Sequence, residues 1–170
     1  DPEPSIAIQI VLIIVLTLIN AYFAASEMAI VSVNKSKIHR LSEEGNKKAK
    51  LVEKLLDQPT NFLSTIQVAI TLAGFFNSAS AATGISKSFA NVLKNWSVPY
   101  ADTIAVVLIT ILISFITLIF GELVPKRIAL QKAESYSMFC AKPILVISKI
   151  ASPFIKILSW STKFILRIFG

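Results

Sequence analysis

An acid, a proline and a lysine close the most apolar run of this chain within six residues, Gly121-Glu122-Leu123-Val124-Pro125-Lys126. The run before them, Ile104 to Phe120, carries no charge. A carboxylate at the edge of a bilayer-length helix is expensive, and acids so placed are functional by default. Pro125 has no N–H, so in a helix the carbonyl of Gly121, four residues earlier, loses its usual donor. At membrane depth a freed carbonyl is tolerated only against protein, water or an ion. Glu122 adds a hard anionic oxygen beside it. Upstream, Thr110, Ser114, Thr117 and Gly121 fall at i, i+4, i+7 and i+11 on one helix face. Gln67, Thr71, Gly74 and Ser78 repeat that spacing in the preceding apolar run, with Asn77 next to the stripe. Hydroxyls, an amide, free carbonyls and a carboxylate suit a hard divalent cation such as Mg²⁺. Thiolate and imidazole, which zinc and copper favour, are absent from these runs.

Geometry sets a condition on this reading. In an unbroken helix Glu122 points about 100° from Gly121, away from the Thr110/Ser114/Thr117 stripe. It joins that face only if the helix is distorted, which Gly121 and Pro125 favour. Ser26 and Glu27 pose a similar choice, since adjacent residues cannot both face one centre. Plainer roles compete at each position. Glu122 can mark a helix end and pair with Lys126 at i+4, Ser and Thr hydroxyls can bond the preceding turn, and Asn77 can tie two helices together. His39 reads as a solvated loop residue and Cys140 as an apolar filler.

The elements that must position these residues are membrane helices. The chain has 170 residues, 54% hydrophobic and 16% charged, with a mean hydropathy of +0.68. A soluble domain runs near 45–50% apolar and about 25% charged. The fold class is all-α integral membrane, one transmembrane domain over 1–170. Spans are expected at about 6–33, 62–82 and 103–124, each long enough to cross the hydrocarbon, which takes about 20 residues. The first span is Ile, Val and Leu in its first half, facing lipid, and small and polar from Asn20 to Ala29, packed against protein. Residues 34–60 mix eight basic residues, counting His39, with acids and spaced leucines. They read as a cytoplasmic juxtamembrane helical hairpin broken near Gly45 and ended before Pro59. Residues 84–102 read as a connection, with Trp96 and Tyr100 at an interface.

Residues 126–170 form a juxtamembrane belt. Within it Lys142, Lys149, Lys156 and Lys163 repeat every seven residues opposite Ile, Leu, Val and Phe. That pattern describes a C-terminal amphipathic helix lying in the interface against anionic headgroups, kinked at Pro153, rather than a fourth span. The net charge of +7 thus marks cytoplasmic loops and lipid, not nucleic acid. The distribution of Lys and Arg places the N-terminus outside and the hairpin and C-terminus in the cytoplasm of a plasma (inner) membrane protein. The acidic start and the length of the first run argue against a cleaved signal peptide. A single cysteine excludes an internal disulfide. No nucleophile–base pair, phosphate loop or metalloenzyme spacing is present, so an enzyme is not expected.

Ala25-Ser26-Glu27-Met28-Ala29 closing the first span, Thr65-Ile66-Gln67 opening the second and the Gly121–Lys126 element closing the third resemble the CNNM/CorB/CorC family of magnesium transporters. The resemblance covers nearly the whole chain, in the order of that family's transmembrane domain. It implies a homodimer of three-span protomers that holds Mg²⁺ in a cavity open to the cytoplasm and exports it in exchange for Na⁺. By the same analogy Ser26 supplies a hydroxyl, Asn77 an amide oxygen, Gly121 a carbonyl and Glu122 a carboxylate, with Gln67, Thr71 and Ser78 competing for Asn77's role. The family normally continues into a pair of CBS modules that bind ATP–Mg²⁺. No stretch resembles them, so the expectation is an isolated transmembrane domain without nucleotide regulation. Transport of another divalent ion (Co²⁺, Mn²⁺) and a non-transporting membrane anchor or ion sensor are the alternatives.

Overall fold

The computed structural model describes residues 5–170. The acidic Asp-Pro-Glu-Pro start, used above against a signal peptide, lies outside the described residues. Apolar sequence that must satisfy its own backbone in lipid becomes helix, and no strand occurs among the described residues. The helices are α1 (Ile6–Ser32), α2 (Lys35–Glu43), α3 (Lys47–Asp57), α4 (Pro59–Ser80), α5 (Ser86–Asn95), α6 (Ala101–Leu118), α7 (Val124–Gln131) and α8 (Ala133–Ile168). Two π-helical turns, Ala81–Ile85 and Ile119–Leu123, join α4 to α5 and α6 to α7 without a break.

Four helical stretches among the described residues are long and apolar enough to cross a membrane: Ile6–Ser32, Pro59–Asn95, Ala101–Gln131 and Ala133–Ile168. The second runs past the expected end near residue 82, because the π turn absorbs Gly84 and the helix continues to Asn95. Residues 84–102 are therefore mostly helix rather than connection. The third continues beyond residue 124 as α7, which carries Pro125 as its second residue directly after the π turn. The fourth is the continuous α8, with Pro143 and Pro153 inside it.

The chain divides into two compact units. The first comprises the described residues up to Ala25 together with Ala69–Ile128. In it α5 folds back on α6 around Ala90, Leu93, Ala101 and Ala105, with Phe89 and Ile104 packed on that core. Lys94 and Asp102 pair at 3.2 Å across the turn. The early part of α1 exposes Ile8, Val11, Ile14 and Leu18, as a lipid-facing half should. The same helix buries Gln9, Thr17 and Asn20. Gln9 lies against Gly84, where a Cβ would stand 1.7 Å from Gln9 Oε1. Glycine is thus the residue that lets a polar side chain press onto the π turn.

The second unit is Ser26–Val68 with Ala129–Gly170. Asn34 caps α2 by accepting from the Lys37 N–H, and Asn46 caps α3 by accepting from the N–H groups of Lys48 and Ala49. The chain reverses between them at Gly45, as its composition anticipates. Ile38, Val52 and Leu55 are the buried face of this hairpin, and α3 packs along α8. Lys37 pairs with Glu134 of α8 at 2.6 Å. His39 is exposed, as a solvated residue should be, and sits on α2 rather than in a loop, with its Nδ1 3.1 Å from Glu53 Oε2 and its Nε2 3.1 Å from Glu43 Oε1. The hydrogen bond to Glu53 and the charge of Glu43 raise the His39 pKa above its ordinary value. A hydrogen bond with Ser42, then one with His39, lowers that of Glu53.

Two outcomes follow. Gly84→Ala should destabilise the domain by about 1–3 kcal/mol through overpacking, and Gln9→Ala in that background should cost less than the two single changes summed, read by thermal melting as a double-mutant cycle. A group with a raised folded pKa stabilises below its unfolded pKa and loses that contribution as pH rises through the folded value. The His39 NMR titration should therefore lie above 6.5 and shift down in Glu53→Gln, with the α2–α3 hairpin loosening as His39 deprotonates.

Candidate ion site

The first unit contains a cavity of about 280 Å³ lined by Gly74, Asn77, Ser78, Ile113, Ser114, Thr117, Leu118 and Glu122. Both polar stripes contribute to it: Gly74 and Ser78 from α4, Ser114 and Thr117 from α6. Thr71 lines an adjoining hollow with Gly74, Phe75 and Ser78.

The condition set by helix geometry is met by the π turn. The Val124 N–H bonds the carbonyl of Ile119, five residues back, so the turn is wider and each residue rotates less about the axis. That brings the half-buried Glu122 round to the Ser114/Thr117 side. Among the described residues Glu122 makes no ion pair with Lys126. The pairing that would have made Glu122 a mere helix-end marker is therefore absent there.

Beneath the cavity the carbonyl of Gly121 accepts a hydrogen bond from Asn20 Nδ2 at 2.8 Å. Pro125 cannot supply the α-helical N–H to this oxygen, and α1 supplies a donor from its side. Gly121 is buried, and a Cβ there would lie 3.0 Å from Asn20 Nδ2, so a side chain would push the amide off the carbonyl. Sequence reading placed Asn20 only in a packed, polar stretch. The signal that could have singled it out is its spacing from Thr17, three residues earlier on the same face of an otherwise apolar helix.

Asn77 is 2% exposed. Its Nδ2 approaches Thr17 Oγ1 at 3.3 Å and Thr117 Oγ1 at 3.5 Å, both long bonds. Its Oδ1 is buried with no hydrogen-bond partner. A buried acceptor left unsatisfied costs about 1–3 kcal/mol, and here it belongs to a residue lining the same cavity as a carboxylate. The donor set is hard oxygen throughout. No group of three or more His, Cys, Asp or Glu side chains converges among the described residues.

Ser26 and Glu27 belong to the second unit, where the Ser26 hydroxyl is hydrogen-bonded with Tyr136 and Cys140. Gln67 is also in that unit and exposed. Thr110 is half-buried on α6 and does not line the cavity.

This architecture is that of a multi-pass helical membrane domain with a polar cavity between apolar helices. The chain belongs to the cyclin M transmembrane N-terminal domain family, whose match covers residues 11–170. It is 36% identical to UPF0053 protein sll0260 of Synechocystis sp. over 168 residues, 98% of this chain and 38% of that protein. It is 37% identical to a UPF0053 protein of Haemophilus influenzae over 171 residues, 100% of this chain and 37% of that protein. A polyamine export protein of the same organism is 27% identical over 169 residues, 90% of this chain and 38% of that protein. The chain thus spans under two-fifths of the length of these relatives.

Because Asn20 donates to a carbonyl that Pro125 cannot serve, Asn20→Leu should cost about 1–3 kcal/mol in the absence of divalent ions. Asn77→Leu, which gives up only two long bonds and removes an orphaned acceptor, should cost less. Thermal melts in chelator compare the two.

Proposed function

We propose that this domain moves Mg²⁺ across the cell membrane and exports it in exchange for Na⁺. The observation that carries the reading is the buried, unpartnered Asn77 Oδ1 in a cavity that also holds Glu122, Ser114 and Thr117. Mg²⁺ dehydrates reluctantly and is usually held by one or two carboxylates while keeping several waters, so a cavity with one acid and several neutral oxygens matches its needs. A transported ion must also leave, and a single carboxylate keeps binding from becoming too tight. A polyamine, the cargo in one relative's name, is an extended polycation that needs several spaced acids, whereas this cavity has one.

The remaining parts of the proposal rest on the resemblance and on charge. They are a homodimer of three-span protomers, with the N-terminus outside and the hairpin and C-terminus in the cytoplasm. In this reading α8 lies in the interface. Its support is the partner it keeps: α3, with Lys47, Lys48, Lys50, Glu53, Lys54 and Asp57, packs along α8. A helix so bound to a charged neighbour shares an aqueous boundary rather than the hydrocarbon.

Mg²⁺ at 100 times its dissociation constant should stabilise the domain by about 2.7 kcal/mol. Glu122→Gln and Asn77→Leu should abolish that gain, and Glu122→Gln should abolish Mg²⁺ flux in proteoliposomes while the dimer stays intact. Ser26, a ligand by resemblance alone, is tested by Ser26→Ala in the same flux assay. Undiminished stabilisation and flux in Glu122→Gln would contradict the site. Competition by Co²⁺, Mn²⁺ and spermidine identifies the cargo, and Mg²⁺ binding without any flux would favour the sensor alternative.

A further inference from the structure

The second unit has open space of a different character. A cavity of about 340 Å³ is lined by Lys54, Gln58 and Asn61 on one side and Ser148, Lys149 and Ser152 of α8 on the other. It shares Gln58, Asn61 and Ser152 with a larger hollow of about 730 Å³ that reaches Lys156, Trp160 and Lys163. Three lysines of the seven-residue stripe, Lys149, Lys156 and Lys163, therefore line one continuous groove. Among the described residues none of the four groove lysines is ion-paired. The one acid present, Asp57, lines only the larger hollow.

Ser148 makes this groove more than a basic surface. It is 5% exposed, and its hydroxyl is buried with no hydrogen-bond partner while the residue lines the smaller cavity. Ser hydroxyls in helices ordinarily bond the preceding turn, as Ser161 and Thr162 do later in α8. An orphaned hydroxyl beside two ammonium groups and two side-chain amides is a donor set that a tetrahedral oxyanion would complete.

The flanks indicate where that oxyanion comes from. Ile150, Phe154 and Ile157 are exposed on the face of α8 turned away from the groove. Trp160, 68% exposed, stacks on Phe164 at 5.8 Å, and such rings favour headgroup depth. We propose that the groove between Gln58–Asn61 and α8 binds the phosphodiester of an anionic phospholipid, with its phosphate at Ser148, Lys149 and Lys54 and its acyl chains running past Trp160. The site rests on the interfacial reading of α8 and is independent of the ion site.

The test uses the protein in nanodiscs of phosphatidylcholine doped with phosphatidylglycerol, with bound lipid counted by native mass spectrometry after release into mild detergent. One phosphatidylglycerol per chain should be retained saturably over phosphatidylcholine. Ser148→Ala and Lys149→Gln should each weaken it about tenfold. Lys142→Gln, which removes an equal charge from the same stripe outside the groove, should not. Ser148→Ala should leave the melting temperature of lipid-free protein unchanged or raised, which separates binding from a structural role. Equal weakening by Lys142→Gln and Lys149→Gln, or no preference for phosphatidylglycerol, would overturn the site. Displacement of the lipid by millimolar inorganic phosphate would assign the groove to the free ion instead. Quenching of Trp160 by brominated lipid, in a Trp96→Phe background, reads the interfacial placement separately. Quenching retained while selectivity is absent overturns the site alone, and its loss overturns the placement on which the site rests.

Discussion

The first unit turns on one carbonyl. Pro125 cannot give the Gly121 oxygen its α-helical N–H, and Asn20 donates to that oxygen at 2.8 Å from a helix far away in sequence. That arrangement has a geometric cost and a geometric yield. The helix widens into a π turn at Ile119–Leu123, and widening carries Glu122 onto the face that holds Ser114 and Thr117. Gly121 cannot carry a side chain without moving Asn20. Proline, glycine, acid and the distant asparagine are thus one device, and changing any of them alters where the carboxylate points.

Two buried asparagines divide the work. Asn20 spends its donor on a main-chain oxygen and is structural. Asn77 holds weak bonds through its nitrogen and leaves its oxygen buried without a partner. The same contrast recurs in the second unit, where Ser161 bonds its own helix and Ser148 does not. In both units the informative residue is the polar atom that the fold leaves unpaired, because folding normally pairs such atoms.

Much of this was legible in the sequence. Apolar runs gave the helices, Gly45 and Pro59 marked the break and the end of the hairpin, and Glu122 and Pro125 stood out as anomalies whose reconciliation required a distorted helix. The two stripes predicted which faces of α4 and α6 would be polar. Less legible were features that depend on pairs far apart in the chain. The Asn20–Gly121 bond and the press of Gln9 on Gly84 leave only isolated polar residues in an apolar run as a trace. The first π turn was also missed, because Ala81-Ala-Thr-Gly-Ile85 reads as the end of a helix rather than as a widened turn within one. Apolarity and length cannot by themselves tell a crossing helix from one lying flat, so α8 satisfies the criteria for a span while its lysine stripe and its packing on α3 argue for the interface.

The central claim is that Glu122 and Asn77 Oδ1 face a common cation. A structure of the protein with Mg²⁺, solved with and without chelator, tests it directly. The account predicts density within reach of both oxygens, with Mg–O distances of about 2.0–2.1 Å for those that bind directly, vanishing on chelation. A dry cavity in which Asn77 Oδ1 accepts a protein hydrogen bond and Glu122 pairs with Lys126, whether or not Mg²⁺ is present, would contradict it.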